Sequence, residues 1–344
     1  MPPILCLPGR AVSAVAAPRY GRRRERGLFV AIGNLLTELR YPTTRRGKII
    51  VGMLAVLIFS FLSLALVSGL LLSRALLPLR AGETIDPTSF LGNVEILPFE
   101  TPDGETHSGW FFPGLRGAPV VVICHGYRTS RTEILTLATS LQQHRYNVFS
   151  FNFAGHGESP VGYTTLGFKE TNELLAALEM LATRTDIDTQ RMGVWGYSMG
   201  AYAALSAAQQ FPRVKAVALD SIYPHPADLL RRELTRGGGG SIPLAPALAT
   251  LEFRVFNLFT GSGPDPVAAL PQTVGLPKLF ILGDDTPQLA DFTRELYQQA
   301  PGPKELVQLP RTNMASLVED ERRNYENLVV SFFLRNLPLV SSTP

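Results

Sequence analysis

A serine between two glycines is the first residue whose setting could support chemistry. Ser198 lies in the pentapeptide 196–200, which reads G-Y-S-M-G, between the short apolar run 192–195 and the alanine-rich stretch 201–210. A strand–turn–helix of this kind exposes a serine hydroxyl on a sharp turn. The small flanking residues let the backbone turn that tightly. The pattern predicts a nucleophile for acyl transfer.

Two further motifs follow buried strand-like runs. The tripeptide His125-Gly126-Tyr127 comes directly after the apolar run 120–124, and residues 152–159 read N-F-A-G-H-G-E-S after the next such run. Close approach of a backbone to a ligand favours glycine at the middle position of the first motif. Both motifs are therefore expected at the carboxyl ends of neighbouring strands.

Together the three motifs resemble those of the α/β-hydrolase superfamily, most closely the single-pass membrane-anchored, esterase-like hydrolases of bacteria. The resemblance covers about 250 residues. It implies that the backbone amides of Tyr127 and Met199 form an oxyanion hole and that His125 orients its loop. In residues 152–159 the superfamily usually has aspartate and arginine where this chain has Asn152 and Ala154, so a local ion pair is missing.

The resemblance also implies a triad acid after the strand predicted at 278–282. Asp285 is the first choice for this acid, and Asp284 is the fallback. Asp220, after the preceding strand, is a third possibility because some lipase-like members use that location. Solvated loop aspartates would look the same in the sequence.

The triad histidine is missing from its expected place. It should follow the strand predicted at 305–309, where the position falls on Met314, or on Asn313 if the register slips by one residue. Neither side chain is a useful base, and a serine hydroxyl is a poor nucleophile without one. His225 offers the one rescue, an unusual Ser198–His225–Asp220 arrangement, although a surface histidine in a proline-rich loop is the plainer interpretation.

Alternating strand-like and helix-like segments must position these residues. Apolar runs of five or six residues alternate with amphipathic stretches from Val120 to the C-terminus, which predicts a mainly parallel, doubly wound sheet. The alternation breaks at about 222–276, which we interpret as a small lid insertion with a glycine hinge at 237–240. The whole α/β-hydrolase domain is predicted to span 94–344. The lid composition suggests a small, partly apolar ligand or substrate.

An uncharged apolar run at 49–73 precedes this domain and a linker at 74–93. At about 1.5 Å per residue the run spans roughly 37 Å, more than the ~30 Å hydrocarbon layer, which predicts a transmembrane helix. A cleaved signal peptide is the alternative, but its apolar region is usually shorter. The basic arm 1–48, which we expect to be largely disordered, predicts a cytoplasmic N-terminus and a domain outside the bacterial plasma membrane.

Composition excludes several function classes. The arm 1–48 carries ten Lys/Arg and two Glu, and because the whole chain carries +3, the remainder carries −5. The domain is therefore not a nucleic-acid binder by charge. Two cysteines form neither a disulfide framework nor a zinc motif. We predict no cofactor and no metal, and nothing in the sequence identifies a protein partner.

Two functions remain open. The first is a membrane-anchored serine hydrolase of esters or thioesters that acts through Ser198 with a weak or non-standard base. The second is a catalytically impaired α/β-hydrolase that serves as a membrane-tethered binding or scaffold protein.

Overall fold

The computed structural model describes residues 44–77, 93–236, 241–260 and 266–339. The predictions for nearly all of the basic arm, for most of the linker and for the glycines at 237–240 lie outside the described residues.

Eight strands form one sheet. They are β1 (Glu95–Glu100), β2 (Thr106–Phe112), β3 (Pro119–Cys124), β4 (Asn147–Phe151), β5 (Asp188–Tyr197), β6 (Val214–Asp220), β7 (Lys278–Gly283) and β8 (Lys304–Leu309). Their order is β1-β2-β4-β3-β5-β6-β7-β8, and only β1–β2 and β2–β4 pair antiparallel. The predicted mainly parallel sheet is thus confirmed.

Apolar side chains of the central strands face two separate cores. In β3, Val120, Val122 and Cys124 belong to one buried cluster, while Val121 and Ile123 belong to the other. Successive residues of a strand point to opposite faces, so both faces of the sheet are covered. This is why the runs read as continuously apolar in the sequence.

Eight α-helices accompany the sheet in the described chain. They are α1 (Arg45–Leu76), α2 (Leu135–Gln143), α3 (Phe168–Leu181), α4 (Met199–Gln210), α5 (Pro226–Arg236), α6 (Ala245–Thr260), α7 (Pro287–Gln299) and α8 (Glu319–Asn336). Side chains of α3 and α4 join one core, and side chains of α2 and α8 join the other. The helices α5 and α6 occupy the predicted lid interval between β6 and β7.

The helix α1 is long and apolar enough to cross a membrane. Its 32 residues have a mean hydropathy of 2.8 over the most apolar window, and at about 1.5 Å per residue they extend roughly 48 Å. The chain divides into two compact units, one ending at Leu64 and one beginning at Ala65. The last twelve residues of α1 therefore belong to the same unit as the sheet, and the helix ends three residues beyond the predicted end of the apolar run at Ser73.

Candidate active site

Ser198 lies at a strained turn between β5 and α4. Its backbone has φ 52° and ψ −110°, a conformation that side-chain-bearing residues rarely adopt and that costs about 1–3 kcal/mol. A Cβ added to Gly196 would lie 2.2 Å from the carbonyl oxygen of Gly200, and one added to Gly200 would lie 2.3 Å from that of Cys124. The two glycines are therefore required by close backbone contact, as the sequence pattern predicts.

The predicted oxyanion loop lies beside this turn. Strands β3 and β5 are neighbours, and Cys124 pairs with Gly196, which brings Tyr127 next to the start of α4. The backbone amides of Tyr127 and Met199 donate to no acceptor among the described residues. Both amides are thus available to an oxyanion, although this role stays a prediction.

His125 connects the loop to its neighbour and does not act on Ser198. Its Nε2 accepts a hydrogen bond from the Phe153 amide at 3.0 Å, and its Nδ1 lies 2.8 Å from the Gly126 carbonyl oxygen. Burial, with the nearby His156, lowers the pKa of His125 well below its usual value. The imidazole is therefore neutral, with both nitrogens engaged by backbone.

Among the three candidate acids, Asp285 is the one that lines the same pocket as Ser198. Its Oδ2 accepts long hydrogen bonds from the amides of Thr312, at 3.4 Å, and Asn313, at 3.5 Å. Asp284 instead accepts from the Gln308 side chain at 2.6 Å, in an exposed position. Asp285 is therefore the candidate that the geometry supports.

Asp220 is committed to a different network. It is fully buried, and its carboxylate accepts from the Tyr325 hydroxyl at 2.6 Å and from the Ser221 hydroxyl at 2.8 Å. Burial raises the pKa of Asp220 to about 7. The Tyr325 hydroxyl in turn accepts from the Trp195 indole, so Asp220 connects the end of β6 to α8.

The position expected for the triad histidine is occupied by Asn313. Met314 is only 5 % exposed and packs in the apolar core that includes Tyr325 and Val329. Asn313 lines the pocket that holds Ser198 and Asp285. Of the two registers that the sequence allowed, the one with Met314 in the site is wrong, because an apolar side chain gains more from the core.

His225 does not complete the site. It is exposed and lines a separate cavity of about 450 Å³, with Phe253 and Leu258 among the other wall residues. The cavity at Ser198 measures about 230 Å³, and His225 is not in its wall. The Ser198–His225–Asp220 arrangement is therefore not formed: His225 lies in another cavity, and Asp220 is bonded to Tyr325 and Ser221.

Charged side chains of the lid helix α5 close the Ser198 cavity. Arg232, Glu233 and Arg236 line it together with Arg128. The Arg232 guanidinium is mostly buried and lies 2.5 Å from a Glu233 carboxylate oxygen. Burial lowers the pKa of Arg232 from its high usual value. Sequence reasoning missed these residues because it treated the start of the lid as loop.

The end of α1 also contacts the predicted oxyanion residues. The Tyr127 hydroxyl donates to the Ala75 carbonyl at 2.8 Å, and the Thr164 amide donates to the Leu76 carbonyl at 2.9 Å. The Thr164 hydroxyl in turn lies 3.3 Å from the Met199 sulfur. The last turn of the apolar helix thus supports both sides of the predicted oxyanion hole.

A second polar cluster lies at the start of β2. Ligand atoms of Glu105, His107 and Glu173 all lie within 4.8 Å of one another, close enough to share a cation. The Lys169 ammonium is 3.0 Å from a Glu105 oxygen. The Lys169 ammonium thus already pairs with a carboxylate of this cluster. None of the three cluster residues lines the Ser198 cavity.

Comparisons with known proteins agree with this fold. Residues 119–256 match the family model described as alpha/beta hydrolase fold. An uncharacterized Mycobacterium tuberculosis protein is 31% identical over 134 residues, which are 38% of this chain and 47% of the relative. The chain thus spans about half the length of that relative. The uncharacterized Escherichia coli protein YfhR is 24% identical over 254 residues, 71% of this chain and 82% of YfhR.

Solved structures of hydrolases have a similar fold. The Pyrococcus furiosus esterase Pf2001 has a TM-score of 0.62 and 21% identity, covering 77% of this chain and 99% of the esterase. A dienelactone hydrolase from Anabaena variabilis has a TM-score of 0.53 and 18% identity, covering 71% and 98%. The chain has the α/β-hydrolase fold.

Proposed function

We propose that this α/β-hydrolase-fold protein is a membrane-anchored, catalytically impaired hydrolase that binds a small, partly apolar ligand in its Ser198 cleft. The observation that carries the proposal is the position of Asn313. Asn313 lines the cavity of Ser198 and Asp285, in the loop where a triad mechanism needs an imidazole.

The absence of a triad histidine has a large effect on the rate of a serine hydrolase. In serine proteases, loss of the triad histidine alone lowers turnover by about 10⁶, and oxyanion and binding effects leave only about 10³–10⁴ over water. A carboxamide does not accept a proton at neutral pH. Ser198 would therefore attack an ester only at a residual rate.

Three other polar side chains in the described wall of the cleft are bonded to partners of their own. Glu233 is held by Arg232 at 2.5 Å, and Asp285 accepts from two backbone amides. Burial raises the pKa of Tyr127 to about 12, and its hydroxyl points to the Ala75 carbonyl. Each of these three side chains is therefore already engaged by another group of the protein.

A second candidate is a slow serine esterase or thioesterase acting through Ser198. The strained backbone of Ser198 favours it, because positive φ at a side-chain-bearing residue is costly and is characteristic of functional sites. The Pyrococcus furiosus neighbour is an esterase. The oxyanion amides would still stabilise a developing negative charge.

A fluorophosphonate probe separates the two candidates. We expect the full-length protein in detergent to be labelled no faster than its Ser198→Ala variant, since the hydroxyl is not activated. Labelling within minutes that Ser198→Ala abolishes would establish the esterase instead. Ligand binding is measured by titration with dansyl-undecanoic acid, a fluorescent fatty acid. Unchanged emission at saturating probe would reject an apolar ligand site.

The anchor belongs to the same proposal. The helix α1 would cross the bacterial plasma membrane with the basic arm in the cytoplasm and the hydrolase-fold domain outside, in line with the excess of Lys/Arg before α1. Protease added to spheroplasts should digest the domain. Full protection would contradict this orientation, and release of the protein by alkaline carbonate would contradict the anchor itself.

A further inference from the structure

The lid helix α6 carries an apolar stripe on its outer face. Leu244, just before the helix, is 71% exposed, and Leu251 and Leu258 are 56% and 76% exposed. A spacing of seven residues is about two helical turns, so Leu251 and Leu258 share one face of the helix. Val255, 45% exposed, lies between the last two. In water, a contiguous apolar surface of this kind marks an interaction site.

The opposite face of α6 packs against the protein. Ala249 and Phe253 are buried in the same core as side chains of α3 and α4. The exposed stripe is therefore not the result of a poorly packed helix. The inner side of α6 is packed in the core, and no element of the described chain covers its outer leucines.

A polar contact places α6 directly beside α1. The Ser68 hydroxyl, buried within α1, donates to a Glu252 carboxylate oxygen at 2.6 Å. Ser68 belongs to the apolar run 49–73, which at about 1.5 Å per residue is longer than the ~30 Å hydrocarbon layer requires. Contact at Ser68, near the C-terminal end of this run, puts α6 at the level of the bilayer surface.

The charged residues of α6 are also compatible with a position at the bilayer surface. Arg254 is exposed on α6, and a long basic side chain can reach lipid phosphates while its stem covers apolar surface. Glu252, the one acidic residue of α6, faces Ser68. The outer face therefore combines leucine, valine and arginine, the composition of helices that lie in a membrane interface.

We propose that the outer face of α6 is inserted into the lipid surface next to α1, with the bilayer as its partner. This inference rests on the proposed membrane anchoring of α1. It has a consequence for ligand access, because Leu258 belongs both to the stripe and to the wall of the 450 Å³ cavity that contains His225. A hydrocarbon chain that leaves the bilayer at α6 meets this cavity first.

The test uses the full chain in nanodiscs of phosphatidylcholine and phosphatidylglycerol. On a Cys6→Ser background, in which Cys124 is buried, single cysteines replace Leu251 or Val255 and carry the fluorophore NBD. Gln298, exposed on α7, supplies the matched control through Gln298→Cys. We expect blue-shifted emission and quenching by chain-labelled doxyl lipid at both α6 positions, and neither effect at the control.

Failure of the inference and failure of the anchor give different results. A Val56→Cys label in α1 reports the anchor alone. Quenching at Val56 without quenching at either α6 position would overturn the docking of α6 and leave the anchor intact. Loss of quenching at all three positions would reject the anchor. Blue-shifted α6 labels that doxyl lipid does not quench would show that protein, such as a second copy, covers the stripe, and would also overturn the proposal.

Discussion

Replacing Asn313 by histidine should create the missing base. The backbone N–H of Asn313 donates to Asp285 Oδ2 at 3.5 Å, so the residue lies next to this carboxylate, and it lines the cavity of Ser198. An imidazole there could place Nδ1 toward Asp285 and Nε2 toward Ser198, the order of a Ser-His-Asp triad. We therefore expect Asn313→His to convert a weakly reactive serine into an activated one.

The magnitude follows from what one general base contributes. Proton transfer by a positioned side chain contributes about 10²–10⁴ in rate. The turn at Ser198 and the two predicted oxyanion amides are already in place. We expect labelling by fluorophosphonate and hydrolysis of p-nitrophenyl butyrate to rise at least about 10²-fold, which is about 2.7 kcal/mol of transition-state stabilisation. The Asn313 side chain also accepts from the Ala315 amide at 3.2 Å, so losing this cap should cost about 1 kcal/mol of stability.

The pH dependence identifies the new base. A free imidazole has a pKa of about 6.5, and a neighbouring carboxylate favours its charged form and raises that pKa. The added activity should therefore appear as the pH rises through about 7, when the imidazole loses its proton. Activity in wild type at the same pH values is the baseline.

Three matched variants decide the outcome. Met314→His puts the imidazole in the core rather than in the cleft and should add no activity. Combining Asn313→His with Asp285→Asn should remove most of the gain, and combining it with Ser198→Ala should remove all labelling. A folded Asn313→His protein with wild-type reactivity would refute our assignment of this position, and so would a gain that survives Ser198→Ala.

Two further predictions concern stability, measured by urea denaturation in detergent. Gly200→Ala should lower the free energy of unfolding by about 1–3 kcal/mol or more, because its Cβ would lie 2.3 Å from the Cys124 carbonyl oxygen. The control Gly162→Ala, whose Cβ would have contacts no closer than 3.5 Å, should change that free energy little. Equal losses in the two variants would contradict the argument. Burial raises the pKa of Asp220 to about 7, so the stability that its protonated form gives below pH about 4 is lost as the pH rises through about 7. The Tyr325 hydroxyl donates to this carboxylate, so Tyr325→Phe should cost about 1–3 kcal/mol and cost more at pH 8 than at pH 5; a loss independent of pH would show that the bond does not act on the ionised form.

Most of the fold could be predicted because its strands are buried on both faces. A run such as 120–124 reads as apolar throughout, and the helices between such runs have clear amphipathic spacing. The helix α5 was missed because prolines around His225 suggested a loop. Pro226 in fact begins the helix, a position where the missing amide hydrogen costs nothing.

The site could be predicted only where it is local in sequence. Ser198 and Tyr127 follow from motifs in which neighbouring residues fix the backbone. The choice between Asn313 and Met314 depends on which side chain the distant helix α8 buries, and local spacing carries no such information. The same holds for His225, whose cavity is formed by side chains from α3 and α6.

This difference explains how a chain can keep the turn at Ser198 without a histidine at the position of the general base. The turn at Ser198 is maintained by the close backbone contacts of Gly196 and Gly200 and by the pairing of Gly196 with Cys124 of β3. The base would come from the loop after β8, where Met314 is buried in the core and the Asn313 side chain accepts from the Ala315 amide. Under the function that we propose, an asparagine instead of a histidine at residue 313 would prevent proton transfer without changing the strained turn at Ser198. The turn at Ser198 is therefore evidence for a cleft, and the activity of the Asn313→His variant tests what that cleft lacks for turnover.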